Sequence, residues 1–150
     1  MIRPIEPSDI PALFAVRVAT DENRLTREQL ALLGITEASV LQRMHGTFRG
    51  WLCECDGRVV GFAMGDRATG EMWVIAVLPD YIKRGFGSQL LRAVEDWLAR
   101  AGCTELWLTT GSDPQLRAYA FYRHRGWEDW KIENRVRYLR KRVSHGSERR

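Results

Sequence analysis

The chain has 150 residues, 45% of them hydrophobic and 28% charged, which suits one globular domain and argues against disorder throughout. No run approaches the roughly 20 apolar residues that span a bilayer. The N-terminus lacks the pattern of a secretory leader and three cysteines make no disulfide framework, so a reduced cytoplasmic setting without a membrane partner is expected.

The net charge of +4 is unevenly spread. Residues 1–130 carry 15 Lys+Arg against 17 Asp+Glu, and residues 131–150 carry 8 against 2. The basic excess therefore lies in the last strand and tail. A nucleic-acid role through Arg135 to Arg142 and Arg149-Arg150 is a rival reading, but not the expected one.

Ile2 to Ile5 reads as a first strand, and Ser8 as the cap of a helix carrying Ile10, Leu13, Phe14 and Val16. Thr26-Arg-Glu-Gln29 has the form of a capping box ahead of Leu30 and Leu33. Thr36 starts another short helix. Gly50 to Cys55 and Arg58 to Met64 form a hairpin around Asp56-Gly57, a turn that needs positive φ at both central residues. Met72 to Leu78 is apolar at every position, as in a strand covered on both faces.

A glycine loop, Pro79 to Ser88, leads into a helix with Phe86, Leu90, Leu91, Val94, Trp97, Leu98 and Ala101 at spacings of three and four. Glu105 to Thr110 is the next strand. Asp113-Pro114 predicts a helix start, with Asp as cap and Pro in the first turn. Strands over 127–132 and 135–143 close the chain. The expected organisation is one α/β domain over 1–145, a mixed sheet with helices on both faces, and a flexible tail over 146–150.

The loop carries the chemistry. Backbone N–H groups from about Ile82 to Ser88 have no helical partner, Gly85 and Gly87 allow close approach, and Lys83 and Arg84 add charge. A helix N-terminus of this kind suits a diphosphate. The bland alternative is a tight strand–helix turn. Neither the Walker A pattern nor the dinucleotide fingerprint is present; the latter would need glycine where Leu90 stands. Cys53-x-Cys55 with His45, His124 and His145 lacks zinc spacing, so no metal is expected.

Ile82-Lys-Arg-Gly-Phe-Gly87 resembles the Gln/Arg-x-x-Gly-x-Gly/Ala signature of the GNAT superfamily of acetyl-CoA-dependent N-acetyltransferases. Ala118-Tyr-Ala-Phe-Tyr122-Arg-His-Arg-Gly126-Trp127 is similar to its A-x-x-x-Y-x-x-x-G-[FW] element. The resemblance covers the whole element order. It implies a mostly antiparallel, seven-stranded mixed sheet with a splay between strands four and five and about four helices. There are three departures. Ile82 replaces Gln or Arg, Lys83 stands where Gly is frequent and is tolerable if its φ stays negative, and Gln115 stands where Asn is common.

The resemblance further implies that acetyl-CoA pairs with strand four near Ile75 and Val77. The loop residues Ile82, Lys83, Arg84, Gly85, Phe86, Gly87 and Ser88 would take the diphosphate, and Gln115 and Tyr122 would also contact the cofactor. The Val77 N–H would hold the oxyanion and the Tyr122 phenol would serve the leaving thiolate. Glu71 is the candidate base, with Asp66 in reserve. An even separation puts Glu71 on one strand face with Trp73, Ile75 and Val77. A surface carboxylate and a packed tyrosine are the bland alternatives.

The expected activity is acetyl transfer to a primary amine of a small molecule, peptide or protein through a ternary complex; the alternative is a non-catalytic acyl-CoA-binding or regulatory module. In this family residues of about 19–50 set the acceptor. There Asp21, Glu22 and Glu28 are either attractors of a cationic amine or ordinary solvated charges. Trp51, Trp73 and Trp130 are groove candidates, with core or rim packing the blander role. Arg123 and Arg125 are expected on a solvated helix face, with contact to the CoA 3′-phosphate as the alternative. Homodimerisation is common in the family, and nothing in this sequence speaks to it.

Overall fold

A computed structural model describes residues 1–22 and 24–143. The tail expected over 146–150 lies outside the described residues. Strand β1 (Ile2–Pro4) leads through a 3-10 turn at Pro7–Asp9 into α1 (Ile10–Arg17), followed by α2 (Arg27–Leu32) and α3 (Glu37–His45). Both later helices open on reciprocal capping boxes, Thr26 with Gln29 and Thr36 with Ser39. Ser8 does not cap α1. It lies inside the 3-10 turn, whose Asp9 carboxylate accepts the Glu6 N–H at 2.7 Å and is forked by Arg3 at 2.8 and 2.9 Å.

Strands β2 (Phe48–Cys55), β3 (Arg58–Asp66) and β4 (Glu71–Val77) form an antiparallel meander. Its first turn has φ of +54° at Asp56 and +76° at Gly57, as the sequence predicts. Helix α4 (Phe86–Arg100) crosses to β5 (Glu105–Gly111), then α5 (Arg117–His124), β6 (Glu128–Glu133) and β7 (Val136–Arg142). The seven strands lie in the order β1-β2-β3-β4-β5-β7-β6, with β4–β5 the parallel neighbours.

Helix α4 buries Leu90, Leu91, Val94 and Leu98 against one face of the meander. Helix α1 buries Leu13, Phe14 and Val16 towards the other. Strand β4 is less covered than its composition predicts. Met72 and Ala76 are buried, but Trp73, Val74, Ile75 and Val77 are only half-buried, because the strand borders an open gap.

The last helix starts three residues later than the Asp-Pro pair predicts. Asp113 caps a turn instead, its carboxylate accepting the Gln115 N–H at 2.9 Å. Leu116 is then extended (φ −63°, ψ 138°), and its side chain packs over Gly111, where an added Cβ would come within 2.8 Å of it. The Arg117 N–H, the first of α5, is bonded by both oxygens of Glu22 at 3.1 Å. A carboxylate 95 residues away thus takes the capping role.

Close contact between sheet and α4 depends on Gly65, where a Cβ would lie 2.7 Å from Val94 and 3.0 Å from the Glu71 carbonyl. Gly65→Ala should therefore lower stability by roughly 1–3 kcal/mol through overpacking. Urea unfolding would show a lower midpoint at unchanged slope; an unmoved midpoint would refute the contact.

Candidate active site

Strands β4 and β5 meet in register at Glu71–Trp107, the single pair between them among the described residues, and then part. On its other side β4 is fully engaged with β3. The Leu78 N–H donates to Val60 at 2.8 Å, and antiparallel alternation turns the N–H and C=O of Ile75 and Val77 away from β3, towards the gap. The gap opens into a cavity of about 610 Å³. Thr109, Thr110 and Gly111 of β5 line its far wall, and Leu116, Phe121 and Tyr122 lie across it.

The loop between β4 and α4 closes one end. Ile82, Lys83, Gly85, Gly87 and Ser88 reach the cavity. Gly85 is the N-cap of α4 with φ +86°, and no side chain caps the helix, so the amides of its first turn point out of it. A Cβ on Gly87 would meet the Phe121 ring at 3.4 Å, an ordinary contact. Lys83 has φ +71°, so the negative φ expected there is not found. The left-handed turn is set by the chain path, and a residue with a Cβ sits where glycine is the unstrained choice.

Arg84, Phe86 and Gln115 are not among the residues lining the cavity. Arg84 instead stacks over Tyr81, 4.8 Å from its ring centre. Gln115 is passed over because the turn before α5 presents Leu116. Tyr122 does line the cavity and is 6% exposed, edge-on to both Phe121 and Trp127. Burial raises its phenol well above the ordinary value, with the Glu95 carboxylate adding to the effect.

Glu71 lies outside the lining, at the closed end where β4 meets β5. The even-spacing argument for its face fails at a β-bulge. Met64 pairs with Val74 but Gly65 with Met72, which leaves Trp73 as the extra residue. Trp73 and Val74 consequently reach the same side, that of α1 to α3, while Ile75 and Val77 pair with Ala63 and Gly61 on the α4 side. Glu71 shares its face with Trp73, not with Ile75 and Val77. Burial and the neighbouring Asp66 raise the Glu71 carboxyl, against a smaller opposing effect of Arg43. Asp66 itself is buried, accepting from Thr47 at 2.6 Å and from the Ala68 N–H at 2.9 Å.

Arg125 also departs from its expected place. It is not on a solvated face. Its guanidinium lies 3.9 Å from the Phe121 ring centre, donates to the Phe121 carbonyl at 2.9 Å and to the Ser88 hydroxyl at 2.9 Å, and borders the cavity. The spacing of four from Phe121 was the available signal. Arg17, Thr20 and Arg117 also line the cavity and carried no motif. Asp21 and Glu22 are ion-paired with Arg117. Of the groove candidates among the tryptophans, Trp73 lines the cavity; Trp51 packs edge-on against Trp97, and Trp130 is 43% exposed on β6.

The profile of the acetyltransferase (GNAT) family matches residues 15–127, and the chain belongs to that family of acyltransferases. Mycothiol acetyltransferases of Clavibacter sepedonicus and Clavibacter michiganensis subsp. michiganensis are 37% and 36% identical over 89 residues. The match takes in 58% of this chain but only 28% of each of those longer proteins. The PaiA N-acetyltransferase of Thermoplasma acidophilum, solved with coenzyme A, superposes with a TM-score of 0.82 at 16% identity, covering 95% of this chain and 98% of that one. The ribosomal-protein-S18-alanine N-acetyltransferase of Escherichia coli gives 0.76 at 20% identity, covering 97% and 95%. These likenesses establish the fold, and it is the one the two motifs imply. Among the described residues no helix is long and apolar enough to cross a membrane.

Two stability effects follow from this geometry. The folded chain holds the Glu71 proton more tightly than the unfolded chain, so ionising it costs stability. Glu71→Gln should raise Tm at pH 7, and the gain should vanish below about pH 4, where both states are protonated. Lys83→Gly should stabilise by about 0.5–1 kcal/mol, relief of the left-handed strain outweighing the added chain entropy. Thermal unfolding of each variant tests both, and a destabilised Lys83→Gly protein would contradict the strain.

Proposed function

We propose that the chain transfers the acetyl group of acetyl-CoA to a primary amine by direct attack in a ternary complex. The observation that carries this reading is the exposed backbone edge of β4 leading to the uncapped N-terminus of α4. The residues fit the cosubstrate. Ile75 and Val77 offer N–H and C=O groups to an extended amide-bearing arm, as an added strand would use them. The amides of the 82–88 loop, with Lys83 and the Arg125 guanidinium, suit a diphosphate. A cavity of about 610 Å³ is in the range that holds a ligand of this size. The coenzyme A complex of the Thermoplasma acidophilum protein of like fold supports the same assignment.

Acetyl-CoA supplies an activated thioester carbonyl, at which a C–N bond forms and a C–S bond breaks, while the attacking nitrogen passes its second proton to the departing thiolate. The Val77 N–H holds the carbonyl oxygen as charge develops there. Glu71 lies outside the cavity lining and so takes a proton from the incoming ammonium through water; its raised pKa makes it a stronger base than an ordinary carboxylate. Tyr122 stays protonated at neutral pH and donates a hydrogen bond to the departing sulfur. Its elevated pKa favours sharing the proton over surrendering it. The basic charge that serves the chemistry is local, in a body slightly acidic over residues 1–130.

Tyr122→Phe should lower kcat about 100-fold while coenzyme A binds as before. Thiol release from acetyl-CoA in the presence of amines, beside calorimetric titration with coenzyme A, separates the two effects. Unchanged turnover would remove Tyr122 from the reaction. Coenzyme A that fails to bind the wild-type chain would overturn the proposal.

A further inference from the structure

A second cavity, of about 210 Å³, lies on the opposite side of β4 from the α4 face. Phe14 of α1, Leu30 of α2 and Val40 of α3 enclose it from above, with Phe62 and Met64 of β3 as its floor. Among the described residues Arg17 is its one charged lining residue. Arg17, Trp73 and Val74 line both cavities, so the two adjoin at the bulge. The bulge is what brings neighbouring side chains of β4 to one junction, since a regular strand would send Trp73 to the α4 face.

We infer that this second cavity receives the side chain of the acceptor, and that the acceptor is a primary amine bearing one compact apolar group, an aromatic ring or a branched aliphatic chain. The inference rests on the acetyltransfer reading above and specifies its second substrate.

Size is one argument. Domain cores are packed to near-crystalline density, and an apolar void of about 150 Å³ stays dry and accepts a benzene ring. The cavity here is large enough for one ring plus a short linker. Its rim is apolar as well: Leu33 lines it and is 63% exposed, and the adjacent Leu32 is 88% exposed. The charge pattern is compatible with this. Asp21 and Glu22 border the first cavity, not the second, and share the one Arg117 guanidinium, so their pull on a cationic acceptor is weakened and lies outside the apolar cavity. An amine anchored by its ring across Trp73 would present its nitrogen on the face of β4 that Glu71 shares.

The test compares 2-phenylethylamine with ethanolamine and putrescine, each with acetyl-CoA and the full chain, reading thiol release. Calorimetric titration of 2-phenylethylamine into the coenzyme A complex is run alongside. The expected kcat/KM for 2-phenylethylamine exceeds that for either polar amine at least tenfold. Val40→Phe, which fills the cavity, should cut that ratio at least tenfold while leaving coenzyme A affinity within twofold. If Val40→Phe fails to fold, Leu33→Asp at the exposed rim should cut the ratio at least threefold. Equal or better turnover of the polar amines would overturn the pocket assignment and leave acetyltransfer standing. Binding of 2-phenylethylamine that Val40→Phe or Leu33→Asp weakens, without turnover of any amine, would overturn acetyltransfer and leave the pocket. Neither binding nor turnover would overturn both.

Discussion

The structure turns on the incomplete pairing of two parallel strands. β4 and β5 meet at Glu71–Trp107 and then separate, so the outer edge of β4 carries backbone donors and acceptors without a strand beside them. Inside a sheet such groups are almost always paired, and leaving them so costs free energy. Here they face a cavity instead, bounded by the loop after β4 on one side and by α5 on the other. The opening is a property of the sheet, not of any single side chain.

The bulge at Trp73 is the second constraint on the same strand. It reverses the parity of β4 midway and so divides its side chains between two jobs. Ile75 and Val77 lie towards α4, while Trp73 and Val74 turn towards α1 to α3. Glu71 stays on the latter face. Burial raises two titratable groups, the Glu71 carboxyl beside Asp66 and the Tyr122 phenol inside the cavity.

Two arginines connect the helices around the cavity. Arg125 joins the end of α5 to the first turn of α4 through Ser88, and Arg117 joins the start of α5 to Asp21 and Glu22. The short helix is thus held at both ends by long-range contacts. That suits a sequence whose local cap signal, Asp113-Pro114, leads only to a turn.

The sequence by itself determined the element order, the Asp56-Gly57 turn, the capping boxes at Thr26 and Thr36, and the glycine loop ahead of α4. All of these depend on a few adjacent residues, because helix periodicity, turn φ values and caps are local properties. Most of the candidate loop residues reach the cavity for the same reason. Only the tertiary structure decided the face of Glu71, the positive φ at Lys83, the start of α5 at Arg117, and the inward place of Arg125. The φ at Lys83 depends on the path of the chain between β4 and α4, and the others on a partner far along the chain or on a register shift between strands: Glu22 lies 95 residues from Arg117, and the bulge appears only when β3 is laid against β4. Alternation along one strand gives its two faces only while the neighbouring strand keeps step, and here it does not.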